Sequence, residues 1–389
     1  MKSSNYVVLL ACVLMLGACA GVSTADFSWF NGTNNRESGS AFAMRWIRDL
    51  QPGGPYVPVE LAAPIGAPQL DRVYIGSTSG ELFALDSFGK PAFKHKAKAA
   101  IEAPVTLDAA RGELYATSVD GTVAALDAST GAVRWQITIE EAISQRGLLS
   151  PDALYLVTDL DTVVAINRAD GALLWRYRRV ERPEGFAIVG HAALGLAERR
   201  IIAAFGDGVV AALDPGDGRV IWELDTSLDV PELDETQRYL DVDTTPAIVD
   251  GVAYVASFTG GLYGIDVKTG TVRQHESQLK SIAGVTTDGA VLIVASAEQG
   301  VLCLELPSLA PLWRWNVRQG APGVPVIAAG QVFVPESQDG LIALDLASGR
   351  ERGRLHTAHG ITTPASLTDG QGFVLSNAGR LYAFTYSGR

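Results

Sequence analysis

One pattern recurs along the chain from residue 71 onward, and it constrains the fold more than any other feature. In its clearest form it reads Gly121-Thr-Val-Ala-Ala-Leu126-Asp127-Ala-Ser-Thr-Gly131-Ala-Val-Arg-Trp135: a strand ending at Leu-Asp, a turn, and a second strand carrying Trp. The Asp position falls at Asp86, Asp127, Asn167, Asp214, Asp266, Glu305, Asp345 and Thr385, at intervals of 41, 40, 47, 52, 39, 40 and 40 residues. Self-similarity at that period marks a β-propeller, in which each repeat supplies one four-stranded blade. The expectation is an all-β chain of eight four-stranded antiparallel blades.

The repeat has a physical logic. Gly131, Gly171, Gly218, Gly270 and Gly349 stand four residues after the Asp position, where a hairpin that needs a left-handed residue takes glycine. The Asp side chain suits the backbone N–H groups of its own turn. Trp135, Trp175, Trp222 and Trp313 stand eight residues after it, a regularity that predicts wedges between neighbouring blades rather than a cofactor box. The 41 glycines follow from so many tight turns.

The two ends of the chain are complementary. The last repeat, Gly379 to Arg389, stops at its turn, where a Trp strand should follow; Phe42-Ala-Met-Arg-Trp46 is a Trp strand with no hairpin before it. Pairing them completes the eighth blade and removes an exposed sheet edge. The ring is therefore expected to close through an N-terminal strand, with the propeller occupying residues 41–389.

The residues ahead of the propeller read differently. Lys2 precedes the apolar run Tyr6–Leu16, too short to span a bilayer as a helix but suited to a secretory signal. The run ends in Leu16-Gly17-Ala18-Cys19, which resembles the lipobox of bacterial lipoproteins; the alternative is an ordinary signal peptide that contains a cysteine. The resemblance implies a signal peptide over 1–18, acylation of Cys19, and a flexible polar tether over 19–40. Ala20, where an acidic residue commonly means inner-membrane retention, favours the outer membrane. Cys12 would leave with the signal, so only Cys303 would remain as a thiol, without an intramolecular disulfide; its apolar surroundings suggest a buried small hydrophobe.

Two intervals are too long. The first insertion falls in Arg176–Leu194 and the second in Asp225–Pro246, on successive blades, so they are expected to lie close together. Insertions in repeat proteins gather on one face, often the binding face. The first carries Arg176, Arg178, Arg179 and Arg182 before Phe186-Ala-Ile188-Val189; the second mixes acidic residues with Leu228, Val230, Leu233, Tyr239 and Leu240. Apolar groups rimmed by charge suggest a protein-binding patch. The alternative is a pair of solvated loops covering strand ends.

The segment Asp241-Val-Asp243-Thr-Thr-Pro246, followed by an apolar strand and Gly260-Gly-Leu-Tyr-Gly-Ile-Asp266, resembles the BamB family of outer-membrane assembly lipoproteins, within the wider quinoprotein-like propellers. The resemblance spans the lipobox, the repeats, the shared closing blade and the two long intervals. It implies a non-enzymatic scaffold at the periplasmic face of the outer membrane, lipid-anchored, binding the POTRA repeats of BamA and other assembly subunits. It places Asp241 and Asp243 on that surface, pointing the same way if they lie two apart on a strand. The family's Leu-x-Leu-Arg stretch aligns with Phe186, Ile188 and Val189; its arginine is missing here, and Arg182 or Arg238 stands as the candidate replacement. Direct contact with unfolded barrel clients, by strand addition along outer strands, stays open.

Other chemistry finds little support. Quinone-dependent dehydrogenases share the repeat, but the adjacent Cys-Cys pair and the calcium loop Asp-x-Asp-x-Asp-Gly are absent from the sequence, so no cofactor or metal is expected. His95, His191, His275, His356 and His359 fall on different repeats, apart from the last two, which lack a Cys or acidic neighbour in a ligand spacing. G-x-S-x-G and P-loop motifs are absent. With a net charge of −12 and 31 scattered basic residues, the chain is not suited to nucleic acid. A carbohydrate-binding periplasmic propeller remains as a second alternative.

Overall fold

The computed structural model describes residues 41–50, 62–179, 192–229, 242–257 and 260–387. These form eight four-stranded antiparallel sheets. Blade 1 spans Ile65–Lys96, blade 2 Thr106–Thr138, blade 3 Leu148–Arg178, blade 4 Gly195–Asp225, blade 5 Ala247–Glu276, blade 6 Ile282–Trp315 and blade 7 Val326–His356. In each, the four strands lie in sequence order. Blade 8 takes its three inner strands from Ser366–Tyr386 and its outer strand from Phe42–Asp49, in the order the complementary ends predict.

Blade 3 shows why the sequence folds this way. Its middle strands, Ala153–Val157 and Thr162–Asn167, are almost wholly buried, because neighbouring blades cover both faces. They read accordingly as continuous apolar runs. The outer strand, Leu173–Arg178, alternates between packed and exposed residues instead. A register shift breaks the pairing of every outer strand; in blade 3 it falls between Ala165 and Ile166. Bulges of this kind protect exposed edges against further pairing.

The core is a ring of inter-blade layers rather than one centre. Eight apolar clusters occupy the eight blade–blade junctions. Cys303, fully buried between blades 6 and 7, is part of one of them, and burial pushes its thiol up to about 11.

The tryptophans dock each blade onto the next. The indole Nε1 groups of Trp46, Trp135, Trp175, Trp222 and Trp313 donate to the carbonyls of Ser87, Arg168, Pro215, Val267 and Leu346 at 2.8–3.0 Å. Each acceptor follows the Asp position in the next blade's hairpin. The turn glycine lies beneath the ring: Gly171 has φ 78°, and a Cβ there would sit 2.7 Å from Trp135. Glycine is thus required twice, for its dihedral and for the ring above it. Blade 5 departs from the rule. Gln274 replaces the Trp and donates from Nε2 to Pro307 O at 3.1 Å, while the next turn carries a left-handed Leu309 instead of glycine. Blade 7 departs too, with Gly353 at the Trp position, because blade 8 has no hairpin to receive a ring; the closing chain at Ala41 and Phe42 packs there.

The Asp positions behave as their turns require. Asp127 Oδ1 accepts from the N–H groups of Ser129 and Thr130, and Asp266 Oδ1 from Lys268 and Thr269. Those bonds, with the Arg273 guanidinium, hold the Asp266 carboxyl down at about 2.

Replacing Trp222 separates ring from hydrogen bond. Trp222→Ala is expected to cost about 3–5 kcal/mol, as for other large-to-small core changes. Trp222→Phe, which keeps a ring as Phe93 naturally does over Gly131, should cost only about 1–3 kcal/mol for the unmet carbonyl. Urea denaturation measures both, and equal losses would show that the ring contributes nothing of its own.

Candidate interaction surface

The two long connections leave and re-enter the ring around one hairpin of blade 4, the turn at Phe205–Val209. The chain reaches the first connection at Arg179, whose Nε lies 2.5 Å from Asp207 Oδ2 and whose Nη1 lies 3.1 Å from Glu223 Oε1. The guanidinium stands 5.5 Å above the Phe205 ring, and Tyr177 Oη donates to Glu223 at 2.8 Å. Burial holds the Asp207 carboxyl above its ordinary range, only partly offset by Arg179. The second connection starts at Thr226, fully buried, which donates from N and Oγ1 to Gly208 O at 3.0 and 2.7 Å.

The return ends meet at the same place. Val242, 1% exposed, donates from N to Phe205 O at 3.3 Å and packs with Ala192, the first described residue after the first connection. Ala193 N donates to Thr245 Oγ1 at 3.2 Å, and Ala256 N to Thr244 Oγ1 at 2.7 Å. All four roots therefore converge on blades 4 and 5, as the interval lengths suggest.

The candidate residues divide between what is described and what is not. Cys19, Phe186, Ile188, Val189, Arg238 and Asp241, with Arg182, lie outside the described residues. Asp243 is half-buried, its Oδ1 screened from solvent. The stretch Val242–Pro246 is not a strand; the first strand of blade 5 begins at Ala247. It nonetheless alternates: Val242, Thr244 and Pro246 are buried, Asp243 is half-buried and Thr245 exposed. The Val242 anchor repeats elsewhere, since Ile101 N and Ile361 N make the corresponding bonds to Ser77 and Glu336. Within the described part of the motif, framework and outward positions thus interleave.

Three sequence expectations need correction. Arg176 and Arg178 lie on the outer strand of blade 3, not in the connection, because pairing with the preceding strand runs on to Arg178. Arg179 does not belong to a charged rim but is tied inward to Asp207. His356 has an acidic neighbour after all: Asp339 Oδ1 lies 2.7 Å from its Nδ1, across a hairpin that linear spacing does not reveal.

Phe205 and Asp207 were not singled out from the sequence, although a signal exists. The first residue of this turn is Ser77, Ser118, Thr158, Ser257, Ser296 and Ser376 in six blades, and breaks to Phe205 in blade 4 and Glu336 in blade 7. On the innermost strands Leu107, Leu149, Ile248, Ile327 and Leu367 pack against the inter-blade clusters. Among the described residues there is no group of three or more His, Cys, Asp or Glu placed to hold a metal ion.

Comparison with known proteins agrees with this architecture. The outer membrane protein assembly factor BamB of Yersinia pestis is 24% identical over 280 residues, covering 71% of this chain and 70% of its own. The crystal structure of BamB from Moraxella catarrhalis superposes with a TM-score of 0.75 at 23% identity, covering 89% of this chain and 100% of that one. The quinohemoprotein alcohol dehydrogenase of Comamonas testosteroni shares the fold at a TM-score of 0.66 and 13% identity, over 90% of this chain and 77% of its own. The profile of the family described as outer membrane protein assembly factor BamB matches residues 107–314, more than half of the chain, and the chain belongs to that family.

Proposed function

We propose that this member of the outer-membrane protein assembly factors is a non-catalytic scaffold that binds the POTRA repeats of BamA through the surface built by its two long connections. The convergence of three roots on the Phe205–Val209 hairpin, with the fourth at Ala192 and Ala193 against Val242 and Thr245, carries this reading. A closed ring supplies a rigid platform, and two long connections rooted side by side on it would supply the binding face. Asp241 and Asp243 would meet cationic groups of the partner, with Phe186, Ile188 and Val189 as the apolar part and Arg238 at the rim. Cys19 would carry the lipid that holds the propeller at the periplasmic face of the outer membrane. Other assembly subunits would share the scaffold.

Asp241→Arg tests the reading, since it reverses charge without touching the buried Val242 and Thr244. Close interfacial charge pairs couple by about 1.5–7 kcal/mol, so binding to a purified POTRA fragment should weaken at least tenfold, with the circular dichroism melt unchanged. Ile188→Arg should act alike on the apolar part. Folded variants that bind normally would remove the long connections from the interface.

A further inference from the structure

The arginines are scattered, but the lysines are not. Four of the chain's seven, Lys90, Lys94, Lys96 and Lys98, fall within nine residues on the outer strand of blade 1 and its flanks, and none occurs between Lys98 and Lys268. All four are exposed. In a chain of net charge −12 they make this wall a local cationic surface. Among the described residues the one salt bridge they make is exposed, Lys94 to Glu81 at 3.5 Å; Lys96 Nζ donates to Ser79 O at 2.7 Å.

Two further features sit on the same wall. Phe88, at the tip of the hairpin leading into this strand, is 65% exposed, the highest value among the large apolar residues described. At the other end is a hollow of about 130 Å³ whose lining mixes the apolar Ile101 and three alanines with His95, Lys96, Lys98 and Gln136, donors suited to a phosphate group. The wall adjoins blade 8, where Arg48 Nε donates to Gly89 O at 2.9 Å. The closing strand enters there, with Phe42 opposite Tyr386, at the level of blade 1's Phe88 hairpin.

We propose that the outer wall of blade 1 is a contact site for an anionic lipid surface: the four lysines face the headgroups, Phe88 enters the interfacial layer, and the hollow beside His95 seats a headgroup phosphate. A lone exposed aromatic among lysines matches the interface of a bilayer, where aromatic and cationic side chains anchor together. An acidic protein partner would instead call for a contiguous apolar patch around Phe88. The site is on blade 1 and the roots of the long connections are on blades 4 and 5, and it stands or falls independently of the scaffold reading.

The test uses the full chain with Cys19→Ser, so that acylation contributes nothing, and measures co-sedimentation with phosphatidylcholine vesicles with and without phosphatidylglycerol. Binding should appear only with the anionic lipid and decline with added salt. Replacing the four lysines by Gln should lower partitioning at least tenfold, and Phe88→Ser should lower it severalfold without changing the salt dependence. Arg219→Gln with Lys268→Gln, on blades 4 and 5, should have no effect. These side chains are exposed, so the melts should match. A chain that ignores anionic vesicles, or a lysine variant that binds like the parent, would overturn the proposal; the former would leave an acidic protein as the occupant.

Discussion

A chain lacking residues 41–50 is expected not to fold cooperatively, because blade 8 would lose its outer strand. That strand pairs with the chain's last strand from Phe42↔Tyr386 to Asp49↔Arg380. Phe42, Met44 and Ile47 pack into the junction of blades 7 and 8, and Trp46 into that of blades 8 and 1. Complete burial of such a side chain contributes roughly 1.5–3 kcal/mol; these four are part-buried, so together they supply a large fraction of an ordinary domain's stability of about 5–15 kcal/mol. The Trp46 bond to Ser87 O at 2.8 Å, which joins the ends of the ring, would also go. Trimming residues 20–35, outside this register, should leave the melting temperature unchanged. Appending residues 41–50 after Arg389, behind a short turn, should restore the melt, since the strand would then follow its hairpin as in the other blades. Equal melts for both deletions, or failure of the appended strand to rescue, would reject closure by this strand.

The ring and its closure are legible in the sequence because they rest on short-range chemistry repeated many times. Asp, Gly and Trp recur at fixed offsets, since each such hairpin needs a side-chain oxygen for its amides, a left-handed residue, and a flat surface under the preceding ring. The exceptions become legible only in pairs. Gln274 and Leu309 look like two unrelated lapses until their contact is seen: a turn that receives no indole no longer needs glycine beneath one. Gly353 likewise makes sense only beside Ala41, more than three hundred residues away. The site is less legible. Interval lengths locate the two connections, but not their shared root, which depends on Arg179 reaching Asp207 across blades. Nor does a count of basic residues distinguish scattered arginines from gathered lysines.

Blade 7 supplies the second large effect. Glu336 occupies the turn position that is Ser or Thr in six other blades, and its side chain is fully buried. Arg354 is its counterion, with Nη1 2.5 Å from Glu336 Oε2 and also on Asp339; the guanidinium stands 5.9 Å from the Trp315 ring. Even so, burial holds the Glu336 carboxyl above its ordinary value of 4.5. Arg354→Met should therefore cost about 3–5 kcal/mol, the range for a buried pair broken on one side. The sign of its pH dependence follows from the raised carboxyl. A group whose folded pKa lies above its unfolded one stabilises fully below the unfolded value, and that contribution is lost as pH rises through the folded value. Removing the guanidinium raises the folded value further, so the variant should lose more stability at pH 8 than at pH 5, measured by urea denaturation at both. Glu336→Ser, restoring the residue type of the other blades, should recover most of the loss in the Arg354→Met background and abolish its pH dependence. An Arg354→Met variant whose deficit is the same at both pH values would mean that Glu336 is not held as a buried charge, and that Arg354 acts through Asp339, Glu351 and Trp315 instead.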